Sequence, residues 1–194
     1  YTRRYTLSLH DALPISYYFY QKYGDDRLLR AYYDNMLRYA DFMIRRAGKW
    51  GGIFAKPMHL SHKNRKYAVN CGKSYGEWAE PNDVMAFHGI DFFIPHPEES
   101  TAYTYFTLKR VLEIASILGK PETPQLARIR EYSEGAKCAY QELVTKDGYS
   151  LDTDRQAKLV RPLYMGLLTP EQETFARKRL IAALDKLIMK LESL

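Results

Sequence analysis

Residues 74–83 read SYGEWAEPND and place Glu77 and Glu80 on either side of Trp78, with Tyr75 just before them. Two carboxyl groups are what hydrolysis of a glycosidic bond requires. One is protonated and one ionised on opposite faces of the sugar, about 6.5 to 9.5 Å apart when the reaction inverts configuration. An offset of three residues in a loop permits that distance without fixing it, so an acid–base pair and two surface acids both remain open readings. Trp78 has two readings as well: an ordinary core anchor, or a wall of a carbohydrate pocket, its indole against the apolar C–H face of a sugar and polar neighbours on the hydroxyls.

Other polar groups have spacings that could do chemistry. His59 and His62 have HxxH spacing, but they sit in a Pro- and Lys-containing stretch with no nearby third ligand. A zinc site takes about three or four ligands, so these read as loop histidines. Arg155 and Gln156 fall at the start of a predicted helix, where unpaired backbone N–H groups often face a ligand. Cys71 and Cys138 make neither a CxxC nor a finger spacing, and no metal or cofactor is called for.

These residues must be held by a substantial core, which 194 residues with 46% hydrophobic side chains can supply as one domain. Seventeen tyrosines, each with an apolar face and a polar tip, suit a wet pocket. No apolar run approaches the roughly 20 residues of a bilayer span, so no membrane partner is expected. The net charge of +6 comes from basic residues scattered among acids along helical faces, so no nucleic-acid partner is expected either.

The chain starts with Tyr, and residues 5–15, YTLSLHDALPI, match codon by codon the translation of a common sequencing adaptor. Residues 1–15 are therefore expected to be adaptor-derived, leaving 16–194 as the domain, and His10 and Asp11 are not read as a catalytic pair.

Helical periodicity dominates the remainder. An aromatic helix ends at Gly24, with Asp25 or Asp26 capping the next, whose apolar positions run Leu29, Tyr32, Tyr33, Met36, Leu37, Ala40 and Met43. From 48 to 99 breakers recur, with at most one short helix near Asp83–His88. So long a loop with hydrophobic content points to function. Ser100 or Thr101 is expected to cap a helix reaching Gly119, and Thr123 another that opens on Pro124. A fourth helix is expected over Thr153–Leu168, kinked or split at Pro162. Thr169 with Gln172 has capping-box form and opens a last helix through Phe175, Leu180, Leu184 and Leu187. Short connections between long helices predict antiparallel hairpins and an all-α fold.

The order YQKYGD, long helix, YGEWAEP, TAYTYFTLKRVLEIASILGK, DG turn and TDRQAKLVRPLYMGLLTPEQ resembles the catalytic domain of the α-L-rhamnosidases of glycoside hydrolase family 78. The resemblance covers nearly everything from Tyr17 onward. It implies an (α/α)6 barrel of alternating inner and outer helices, here partial, and inverting release of terminal rhamnose from a rhamnose-containing glycoside. The family carries Gly-Asp-Trp in the loop, so Trp78 matches the residue that lies against the sugar, while Glu77 is one methylene longer than the usual Asp. Gln156 matches the second residue of a Thr-Gln pair, and Arg155 departs from the first. The family's general acid precedes the aromatic helix and its general base follows the last helix seen here. The resemblance thus makes Glu77 and Glu80 pocket-shaping residues, and makes this chain the middle of a twelve-helix barrel with inner-helix faces left uncovered.

Overall fold

The computed structural model describes residues 3–49, 51, 58–72, 95–151, 153 and 155–192, with backbone alone at 3–12 and near the C-terminus. Among the described residues the secondary structure is helical, without a strand. The elements are α1 (Arg3–Tyr23), α2 (Arg27–Arg46), the single turn α3 (His62–Arg65), α4 (Pro97–Ile117), α5 (Pro124–Leu143), α6 (Gln156–Met165) and α7 (Pro170–Glu192). The chain divides into two compact units, one of Tyr1–Ala47 and Thr104–Glu134, the other of Gly48–Tyr103 and Gly135–Leu194.

In the first unit, α1 and α2 pack together across a three-residue link, which makes them an antiparallel hairpin. Leu29, Tyr33, Met36, Ala40 and Ile44 form the buried stripe of α2. They meet Leu13 and Tyr17 of α1, Leu108, Val111 and Ile114 of α4, and Leu126 and Ile129 of α5 in one cluster. Each such Leu or Ile contributes about 1.5–3 kcal/mol on burial. Tyr32 lies outside this stripe and is exposed, and Ile44 takes the place expected of Met43, because the buried face follows steps of 29, 33, 36, 40 and 44. Asp26 is the N-cap of α2 by position, but its side chain makes no capping bond and pairs instead with Arg30. Arg110 crosses the unit's interior edge, its guanidinium 4.4 Å from the Tyr17 ring centre and 4.8 Å from that of Phe106, donating to the Tyr17 hydroxyl and to Glu113. Helix α1 passes unbroken through residues 15 and 16, so the expected segment boundary is not a helix boundary. Leu13 sits one turn before Tyr17 and packs with it whatever its origin.

The second unit is built around residues 58–72 and the α6–α7 hairpin. Tyr67 lies flat against α5 at Gly135, where an added methyl would fall inside its ring. Gly48 adopts φ +73°, its N–H donates to Ala68 O at 2.9 Å, and a Cβ there would come within 3.1 Å of Lys66 O. Ser61 caps α3 through Asn64 N–H and binds Glu142 through both its N–H and hydroxyl.

Two helix starts differ from expectation. Helix α4 opens at Pro97, not at Ser100 or Thr101, since Pro97 pre-sets the first turn and Glu98 and Glu99 favour its positive end. Thr101 is buried inside the helix, where its hydroxyl accepts from Val69 N–H at 3.0 Å. Helix α6 opens at Gln156, three residues after Thr153, and contains Pro162 without being split, ending at Gly166 with φ +70°. The Thr123 cap of α5 and the reciprocal Thr169–Gln172 box of α7 are as expected.

Candidate functional site

The two described candidate residues, Arg155 and Gln156, lie in the second unit at the N-terminus of α6. At α6, Arg155 is extended (φ −72°, ψ 122°), its N–H donates to Thr153 Oγ1 at 3.1 Å, and its carbonyl accepts from Leu159 N–H. Thr153 therefore orients the residue before the helix, and Gln156 becomes the first helical residue. Both Arg155 and Gln156 are half-buried. The first-turn N–H groups of α6 have no acceptor within the helix, which leaves a partial positive charge beside the Gln156 amide.

Two contacts fix how α4 runs beside α6. Lys158 Nζ is 3.0 Å from Glu98 Oε2, and the Arg161 guanidinium lies 5.9 Å from the Tyr103 ring centre. The partners advance in the same direction along both helices, 98 to 158 and then 103 to 161, so these segments are parallel with their N-termini at one end. Burial lowers the Arg161 pKa from its usual value and raises that of the Tyr103 phenol, with the Glu99 charge adding to the latter. Sequence reading missed Glu98, Tyr103, Lys158 and Arg161. A Pro-Glu-Glu run is a helix-start signal that would have placed Glu98 in a first turn, whereas the cross-helix pairing carries no local signal.

Tyr75, Glu77 and Trp78, with Glu80, lie outside the described residues, and the chain is described again from Pro95, two residues before α4. Of the five expected sugar-contacting residues, the structure therefore positions Arg155 and Gln156. His62 begins α3 and His59 precedes it, so the two do not share a helical face. Among the described residues no group of three or more His, Cys, Asp or Glu is placed to hold a metal. No disulfide links Cys71 and Cys138. No described helix is long and apolar enough to cross a membrane.

Residues 11–193 match the bacterial alpha-L-rhamnosidase 6 hairpin glycosidase domain. The chain belongs to that family. No curated protein and no solved structure matched it. Membership in a six-hairpin glycosidase family agrees with the all-helical fold and its paired helices, and it makes a glycoside the class of substrate. The parallel run of α4 and α6 is what the alternation of helices in successive hairpins produces, because every second helix points the same way.

Proposed function

We propose that this rhamnosidase-type domain belongs to an inverting glycoside hydrolase that releases terminal α-L-rhamnose, and that Trp78, Glu77, Tyr75, Gln156 and Arg155 contact the sugar. The observation that carries this reading is the alignment of the α4 and α6 N-termini by Lys158 and Glu98. The covalent path from Trp78 leads through Pro95 to one of those ends, and Arg155 and Gln156 stand at the other. An indole offers its face to the C–H bonds and methyl group of a 6-deoxy sugar, and the Gln156 amide both donates to and accepts from hydroxyls.

On the same reading residues 16–194 are part of a larger (α/α)6 domain, residues 1–15 being adaptor-derived. The general acid and base are supplied by segments outside this chain, so the chain alone does not turn over substrate. The test is to extend the reading frame in both directions and assay the complete product on aryl rhamnoside and aryl glucoside. Rhamnoside cleavage with inverted stereochemistry supports the reading, and cleavage of glucoside alone overturns the sugar assignment. Retention of rhamnoside turnover by Trp78→Ala in the complete enzyme would remove the proposed platform.

A further inference from the structure

Gly51 sits where three stretches of the second unit converge. A Cβ added there would fall 2.5 Å from Asn70 O, 2.9 Å from Pro95 Cγ and 3.2 Å from Cys71 Cα. Its φ is not positive, so space, and not a left-handed backbone, demands a glycine at this position. Two of the three neighbours are backbone atoms, which cannot swing aside as a side-chain end does. The stretch they belong to is firmly held. Gly48 N–H donates to Ala68 O at 2.9 Å, Val69 N–H donates to the Thr101 hydroxyl of α4 at 3.0 Å, and Ala68, Val69 and Asn70 are all buried. Cys71 and Pro95 therefore meet at one glycine.

This junction limits how far the residues between its two ends can reach. Trp78 lies seventeen residues before Pro95, a path of up to about 60 Å, which by itself constrains little. From Cys71 the path is seven residues, at most about 25 Å, and Tyr75 is four residues away, at most about 14 Å. Pro95 leads in two residues to α4, whose first turn carries Glu98, the partner of Lys158 in the first turn of α6. Holding Cys71 against Pro95 thus starts the Tyr75–Trp78 stretch at the end of α4 where Gln156 stands.

We propose that Gly51 is a positioning residue of the glycoside site: by admitting Asn70, Cys71 and Pro95 to one point, it sets where Trp78 stands relative to Gln156. The inference rests on reading Trp78 and Gln156 as sugar contacts, and it adds a residue that touches no sugar.

The first measurement uses the 194-residue chain. Gly51→Ala is expected to speed maleimide labelling of Cys71 at least about fivefold, with Cys138, exposed on α5, as the unchanged internal reference. Equal labelling of Cys71 in the two chains means that the glycine does not hold that end, and overturns the proposal. The second measurement uses the complete enzyme and aryl rhamnoside. Gly51→Ala should raise KM about tenfold, whereas Ile129→Ala, in the core of the first unit, should lower stability and leave KM unchanged. In a Trp78→Ala background the Gly51→Ala effect should vanish, because both changes act through the same ring. If Gly51→Ala does not fold, Pro95→Ala withdraws the ring carbon from the same contact and should raise KM in the same sense. An unchanged KM in the folded variant, or a rise that adds in full to that of Trp78→Ala, overturns the role of Gly51 and leaves the sugar contacts standing. A complete enzyme that cleaves aryl glucoside alone overturns the sugar assignment instead, and the same comparison on the glucoside still decides Gly51.

Discussion

Lys158 Nζ stands 3.0 Å from Glu98 Oε2, joining the first turn of α6 to the first turn of α4. Both side chains are about a third exposed, so the pair itself is worth about 0–1 kcal/mol, and its role is to set register. Glu98 also favours the positive end of α4, whereas Lys158 opposes that of α6. Glu98→Lys is therefore expected to lower the melting temperature more than Lys158→Met does. Urea or thermal unfolding of the two variants checks this, and an equal loss in both would mean that the dipole contribution of Glu98 is negligible.

The approach of Tyr67 to Gly135 makes a sharper demand. In an isolated helix Gly→Ala gains about 1 kcal/mol, but at position 135 the new methyl overlaps the Tyr67 ring. Gly135→Ala is expected to destabilise by about 1–3 kcal/mol, the range for overpacked cores. Combining it with Tyr67→Ala should cost less than the sum of the two single changes, and strict additivity in a double-mutant cycle would show that the ring and the glycine are not coupled.

Asp25 accepts from both the side chain and the backbone N–H of Arg27, which holds its pKa near 2 against an ordinary 3.8. A carboxylate whose folded pKa is depressed stabilises the native state above its unfolded pKa, and that contribution is lost as pH falls through the folded value. Asp25→Asn should accordingly be less stable than the parent chain at pH 6, with the gap narrowing between about pH 4 and pH 2. Melting curves across that range decide it. A gap that stays constant down to pH 2 would place the effect elsewhere than in the charge.

Where local chemistry is self-contained, the sequence was readable to the residue. Thr123 before Pro124 and the Thr169–Gln172 box each carry their capping partner within three residues, and both appear in the structure. The start of α4 was misplaced because Ser100 and Thr101 are good caps in isolation. The Thr101 hydroxyl is instead engaged by Val69, thirty-two residues away, and no local pattern announces that contact. The four-residue α3 escaped for a related reason: its Ser61 cap leans on Glu142 of α5, so the turn is held by tertiary contact. At the candidate site, Arg155 and Gln156 were legible as residues at a helix start, though the start lay three residues later than Thr153 suggested. Their alignment with α4 depends on Glu98 and Lys158, sixty positions apart, and this no periodicity encodes.

The Thr169–Gln172 box reaches further than helix capping. Thr169 N–H donates to Gln172 Oε1 at 3.1 Å and Gln172 N–H to Thr169 Oγ1 at 3.2 Å, closing the reciprocal pair. The remaining Gln172 amide protons face inward, with Nε2 donating to Gln141 O at 3.0 Å and, more weakly, to Gly148 O at 3.4 Å. One buried side chain thus ties the start of α7 to the end of α5 and to the Asp147 turn. Removing the cap hydroxyl in Thr169→Ala forfeits one bond at a partly exposed end, an expected cost of about 1 kcal/mol. Gln172→Leu keeps the volume but leaves the part-buried Gln141 carbonyl without this donor and opens the cap as well. Its cost is expected to exceed that of Thr169→Ala by about 1–3 kcal/mol, the penalty for a buried polar group left unmade. Urea denaturation of both variants gives the comparison, and a Gln172→Leu chain no weaker than Thr169→Ala would mean that water replaces the lost amide.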